Sequence, residues 1–185
     1  MTRLVADACV TAHDSAKDRD PEFFVDAVYS FRRLNAEPAL SKLVLPPGFV
    51  AKVKRETSTA HTEILSDRVT ITALTRAELV TQVDAVKYRG SLVPMKQPFL
   101  PFMGGPSQET ITSVYALLLY GGPHYERLPA FARIVFPDKL GWFLRGIDLL
   151  SEFPDIINSY KPATGAATAE PTLRKDAKEK GDDDK

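Results

Sequence analysis

Three histidines and one cysteine are the residues here with the greatest capacity for nucleophilic or metal chemistry, and their spacing argues against both. His13, His61 and His124 are far apart, and none lies within helical or strand reach of another. A local metal site needs ligands on one turn or one strand pair, so no metal site is assigned. Cys9 stands in an apolar stretch with no base or cation beside it to stabilise a thiolate, and it reads as a small buried residue. A single cysteine also excludes an internal disulfide framework and fits a reducing, cytoplasmic compartment. His61-x-Glu63 and the Glu152/Asp155 pair are generic polar spacings. Gly-x-Ser-x-Gly, His-Glu-x-x-His and the phosphate-binding glycine loops are all absent from the sequence. Gly104-Gly105 could offer backbone donors to an anion, but without the lysine and preceding strand that make such loops specific. No catalytic residue and no cofactor are therefore assigned. If the chain were an enzyme, the place to look is the polar cluster His124, Tyr125, Glu126 and Arg127.

The cations are more suggestive. Arg32 and Arg33 end a helical pattern, where they complement the helix dipole. Lys42, Lys52, Lys54 and Arg55 follow, and strand alternation puts Lys52 and Lys54 on one outward face. Together the six could bind the phosphates of RNA or of acidic lipid head groups. Aromatic residues do not interleave with them, so a base-stacking platform is not indicated. A second group, Lys87, Arg89 and Lys96, flanks the proline-rich stretch.

That stretch, 91–106, sets Pro94, Pro98 and Pro101 among apolar residues. Prolines this dense forbid a helix or interior strand. Pro98, Phe99, Leu100, Phe102 and Met103 must either fold across their own core or be covered by another chain, a second copy or a different protein.

These groups need elements to hold them. Residues 1–19 read as a short helical arm running into a polar loop. Asp20-Pro21-Glu22 opens a helix with a stripe of Phe24, Ala27, Val28, Phe31 and Leu34, and Pro38 is expected to end it. From Phe49 the period falls to two, with alternation over 49–54 and again over 68–73 and a turn at Ser66-Asp67, so two or three antiparallel strands are expected. Thr75-Arg76-Ala77-Glu78 fits a capping box, so a helix is expected from there to Gly90. The run between Gly104-Gly105-Pro106 and Gly121-Gly122-Pro123 carries Ile111, Val114, Tyr115 and Leu118 at helical spacing, and is expected as a buried central helix. A buried strand over Val114–Tyr120 is the competing reading, because short apolar runs fit both periods. Residues 130–136 are a strand or two helical turns. Leu140, Phe143, Leu144, Ile147 and Leu150 space as a helix, interrupted at Pro154, with one further turn to Tyr160.

Composition bounds the function. The chain has 185 residues, 24 basic against 24 acidic, so no global charge draws it to nucleic acid or membrane. No apolar run reaches the roughly 18 residues of a membrane span, and the first residues lack a secretory signal pattern. The expected fold is α+β, with about five helices on a small antiparallel sheet in one domain over 1–160. A flexible polar tail over 161–185 ends in a tag-like Gly-Asp-Asp-Asp-Lys. The expected function is a non-enzymatic, self-associating structural protein, a homo-oligomer whose basic surface contacts RNA or acidic membrane. Small viral matrix and coat proteins share that general form, which would place it in a virion. The alternatives are an adaptor that binds a partner protein through 91–106, and an enzyme with a site near 124–127.

Overall fold

The computed structural model describes residues 1–56, 59–82, 114–138 and 141–161. The proline-rich loop, most of the helix expected up to Gly90 and the tail from 162 fall outside them. No described helix is long and apolar enough to cross a membrane.

Two long helices form a hairpin. Helix α1, Thr2–Ala16, is a full helix rather than a short arm, because Val5, Cys9, Ala12 and Ala16 recur on one face and are all buried. Helix α2, Pro21–Ser41, starts as expected with proline at its first position. Its buried stripe is Val28, Arg32, Ala36 and Leu40, every fourth residue, while Leu34 stays 63% exposed. The expected stripe is thus rotated, and Pro38 lies inside the helix instead of ending it. The proline removes one N–H late in the helix. Beside it the Glu37 carbonyl accepts the Thr62 hydroxyl at 2.8 Å, tying this turn to the sheet, and Leu40 beyond the proline is 2% exposed in the core. Burying a leucine is worth about 1.5–3 kcal/mol, enough to carry the last turn past the proline.

The helices lie on one face of a six-stranded sheet whose spatial order is its chain order: β1 Val50–Glu56, β2 Thr59–Leu65, β3 Val69–Arg76, β4 Val114–Gly121, β5 Phe131–Pro137 and β6 Phe143–Asp148. The strands expected from Phe49 and Val69 are both present, and so is the Ser66-Asp67 turn, where the Ser66 hydroxyl accepts the Arg68 and Val69 N–H groups. The sheet is larger than expected and mixed: β3 and β4 run parallel, from Val69 opposite Val114 to Arg76 opposite Gly121, and every other pair is antiparallel.

Three expected helices are corrected. The described part of the central run is strand β4, the competing reading. Leu118 and Tyr120 face α1 and α2, whereas Leu117 and Leu119 join a second core with Leu74, Phe131 and Val135. A strand covered on both faces is apolar at every position, so its run imitates a buried helix. Gly121 and Gly122 end this strand at φ of 144° and 147° rather than capping a helix, and a Cβ at Gly121 would sit 2.0 Å from the Arg76 carbonyl oxygen. The capping box at Thr75 fails because Thr75 and Arg76 are the last residues of β3, paired with Tyr120 and Gly121. The helix expected across 138–150 is mostly β6. Gly141, at φ 84°, turns the chain back so that Ile147 meets Ile134 and Gly146 meets Val135. Two short helices follow, α3 Leu149–Glu152 and α4 Pro154–Asn158, divided at Pro154 as expected. The described residues therefore hold four helices and six strands, an α+β fold.

Candidate functional site

The structure divides the six candidate phosphate-binding residues. Arg32 occupies a core position of α2 and is 0% exposed. Its guanidinium donates to the carbonyl oxygens of Gly122 at 2.5 Å, Pro123 at 3.1 Å and Glu126 at 2.9 Å, and it lies 5.5 Å from the Tyr29 ring centroid. It therefore fastens the loop after β4 beneath α2 and presents no charge to solvent. The spacing that signals this is Val28-Arg32-Ala36-Leu40, one residue in four on a single face.

The other five are exposed, in three places. Lys42 caps the C-terminus of α2. Arg33 donates to the Ala60 carbonyl at 3.0 Å, and Ala60 is the cross-strand neighbour of Arg55, which places both arginines at the β1/β2 hairpin end. Lys52 and Lys54 point to the opposite face, as alternation requires. Strand β1 is the first strand of the sheet, and it carries Lys52, Lys54 and Arg55 together with Val50 and Val53, which are 52% and 62% exposed. Among the described residues, β1 has a strand neighbour only on its β2 side.

Lys54 also reaches a buried polar row. Its ammonium lies 2.8 Å from Glu63 Oε2, and His61 Nε2 lies 3.3 Å from Glu63 Oε1. His61 and Glu63 are 3% and 2% exposed. Further along the same sheet face, the Thr72 hydroxyl and Tyr115 OH share a hydrogen bond of 2.7 Å, and Thr70 is fully buried opposite Tyr115. The sequence holds the signal for this row in His61-x-Glu63 and Thr70-x-Thr72, whose two-residue spacing puts each pair on one face. The row has the donors and acceptors of a proton-transfer site. Glu63, however, already has an ammonium on one oxygen and an imidazole on the other.

The polar cluster after β4 is occupied in structural contacts. Arg127 grips Asp14 with Nη2 at 2.7 Å and Nε at 3.2 Å, and Lys17 approaches the same carboxylate at 2.8 Å. These two donors hold the Asp14 carboxyl well below the ordinary range, Arg127 contributing most. His124 packs edge-on against Phe24 and Tyr125, and Phe24 packs edge-on against His13. Two of the three histidines thus meet around a phenylalanine, and the third lies on the far sheet face. Among the described residues no group of three or more potential ligands could hold a metal ion. Cys9 is buried, which pushes its thiol up to about 11 against a smaller opposing pull from Arg32. Pro98, Phe99, Leu100, Phe102 and Met103 lie outside the described residues.

Two surface depressions are lined by described residues. One, of about 510 Å³, lies along α1 and α2 between Arg3, Asp7 and Asn35, and the Tyr160 OH donates to the Asp7 carboxylate at its rim. The other, of about 460 Å³, lies over β5 and β6. Neither is lined by His124, Tyr125, Glu126 or Arg127. Comparison of the chain with known protein families, characterised proteins and solved structures gives no match.

Proposed function

We propose that this chain is a non-enzymatic structural protein that self-associates along the β1 edge when a phosphate-bearing polyanion, RNA or an acidic membrane surface, neutralises that edge. The observation that carries the reading is β1 itself, a terminal strand with two half-exposed valines and three exposed cations in six residues. Backbone N–H and C=O groups along a terminal strand are a template for pairing with another chain, and lysines on such a strand oppose that pairing. Two copies joined edge to edge would bring Lys52, Lys54 and Arg55 of each against the same residues of the other. Like charges directly opposed across strands destabilise the pair. Phosphates between them remove that repulsion, so binding and assembly are coupled.

Light scattering after size exclusion on nuclease-treated protein tests this directly. At low salt the chain should run as a monomer. It should grow on adding single-stranded RNA or phosphatidylserine vesicles, and also at high salt, where the Debye length shrinks to about 3 Å at 1 M. RNA acting without vesicles, or vesicles without RNA, identifies the polyanion. A double variant, Lys52→Glu with Arg55→Glu, should abolish growth with either. A monomer unmoved by salt, RNA and vesicles alike refutes the proposal.

A further inference from the structure

The stretch from Leu43 to Ala51, which joins α2 to β1, is nine residues without one side-chain nitrogen or oxygen, and Lys42 and Lys52 stand at its two ends. We infer that its tip, Val44 to Gly48, is a shallow anchor that enters the apolar layer of an acidic lipid bilayer while the cations around it hold lipid phosphates. The inference goes beyond self-association along β1 and does not need it.

Packing separates the stretch into inward and outward residues. Leu43, Leu45 and Phe49 pack against the core and fasten the loop to the domain. Val44, between the first two, is 95% exposed, and Pro46, Pro47 and Gly48 are exposed beside it. Val50, half exposed, continues this apolar surface onto β1. Single exposed apolar side chains are ordinary on a protein surface, but a contiguous run of them marks a contact with another apolar phase. The tip projects, since a Cβ built on Gly48 would meet nothing within 4 Å. It is also held in one shape. The Phe49 N–H donates to the Pro46 carbonyl at 3.1 Å, closing a turn with Pro47 in its second position and Gly48, at φ 86°, in its third, the type II pattern. A tip ordered in advance loses little conformational freedom on insertion.

The charge around the tip selects an acidic bilayer. Lys42 and Lys52 are exposed, and among the described residues neither has a carboxylate within ion-pair distance. Arg3, exposed on α1, lines the same depression as Leu43 and so borders the loop from the helix side. Two carboxylates belong to this region. Asp7 in that depression receives the Tyr160 OH, and Asp67, in the turn that follows the partner of Val50, stands next to Arg68 in sequence. The segment 42–52 itself carries two positive charges and no negative one. Cations beside an apolar insertion suit anionic head groups over hydrocarbon. Single-stranded RNA suits the tip less well, because its bases stack on aromatic rings and residues 44–48 carry none.

The test is co-sedimentation of the full chain, at low salt, with phosphatidylcholine vesicles carrying phosphatidylserine as about one lipid in three. The chain should pellet with these vesicles and much less with phosphatidylcholine alone. Val44→Ser leaves the charge unchanged and should lower partitioning about tenfold, the transfer of one valine side chain. Lys42→Gln should lower it about fivefold, the worth of one cation at an acidic surface. Both residues are exposed, and circular dichroism should match that of the unaltered chain. An environment-sensitive dye on the Val44→Cys variant, whose native Cys9 is buried, should shift its emission to shorter wavelength on adding acidic vesicles. Equal sedimentation of Val44→Ser and the unaltered chain, or dye emission unmoved by vesicles, overturns the inference. So does binding of RNA without binding of vesicles. Loss in Val44→Ser of growth at high salt without lipid would assign the tip to a second copy and overturn it as well, whereas vesicle binding that depends on Val44 in a chain that never self-associates upholds it and refutes the assembly reading alone.

Discussion

Replacing Arg32 with methionine isolates the most consequential contact in the fold. Methionine keeps much of the arginine stem's bulk in the α2 stripe but removes the guanidinium, stranding the carbonyls of Gly122 and Glu126 beneath the helix, while the Pro123 carbonyl keeps the Glu126 N–H at 3.2 Å. An orphaned buried acceptor costs about 1–3 kcal/mol, so two set an upper range of roughly 2–6 kcal/mol. Against that stands relief of the guanidinium's own desolvation, several kcal/mol for a buried ion. The loss of the Tyr29 ring contact adds about 1 kcal/mol to the cost. The balance is a loss of about 2–4 kcal/mol, set by the orphaned carbonyls and the lost ring contact, since no unpaired charge is left behind. For a chain of this size each kcal/mol moves Tm by about 2–4 °C, so a fall of about 4–16 °C is expected. Urea unfolding should show a lower midpoint at unchanged slope, and hydrogen exchange should accelerate first in 122–128. A variant within about 1 kcal/mol of the unaltered chain would refute the argument, because Arg32 would then not be engaged inside the fold. RNA binding by folded Arg32→Met should match the unaltered chain, whereas Lys52→Glu with Arg55→Glu should lose it.

Two further outcomes concern titrating groups. Burial raises the Cys9 thiol to about 11, so native protein should resist thiol reagents at neutral pH and react only as fast as it opens. The folded value lies above the unfolded value of about 8.5, so the contribution to stability is fully present below pH 8.5 and lost as pH rises towards 11. Cys9→Ala should flatten that alkaline decline in a urea series, and an unchanged slope would contradict it. For Asp14 the sign is opposite. Arg127 and then Lys17 depress its carboxyl, so the clasp between α1 and the loop after β4 is intact above about pH 4 and weakens only below it. Because the clasp is solvent-exposed, salt should weaken it as well. Chemical-shift titration of Asp14 checks the direction, and a midpoint at or above the ordinary aspartate value would be incompatible with the contact.

The strands around the basic edge were legible because one side of each meets water. Lys52 and Lys54 against Ala51 and Val53 announce their period at once. The interior was not legible by the same rule. Leu117, Leu118 and Leu119 serve two cores, so alternation has no polar residue in which to appear. Glycines misled in the same region: Gly121 looks like a helix stop but is required where β4 passes close to Arg76. Arg32 misled in the other direction, since a cation near a helix end is ordinarily solvated and only its place in the every-fourth-residue stripe marks it as internal. Pro38 shows packing overriding a local signal, because the buried Leu40 lies just beyond it. The loop at Phe99 and Phe102, the sequence's most explicit interaction feature, lies outside the described residues, and the assembly proposal accordingly moves to β1.

The buried row on the far sheet face gives β1 its register. On that strand Ala51 and Val53 are small or exposed, and apolar burial alone distinguishes poorly between neighbouring registers. Glu63 makes the distinction sharp. In the observed register its carboxylate faces away from α2, with Lys54 on one oxygen and His61 on the other. A one-residue slip of β1 that brings Val53 opposite His61 would turn the Lys54 side chain to the other face, leaving a buried carboxylate without its ammonium, the case that costs several kcal/mol. Lys54 is about half exposed, so the ion pair itself stabilises the fold less than an enclosed one would. Its larger effect is on alternatives, which it makes unfavourable. The same lysine thus belongs to two arrangements: its stem and charge lock the terminal strand to β2, and that lock fixes which way Lys52 and Arg55 point. A basic edge useful for recruiting phosphates has to present its cations in one pattern, and here the pattern is held by a carboxylate buried one strand further in.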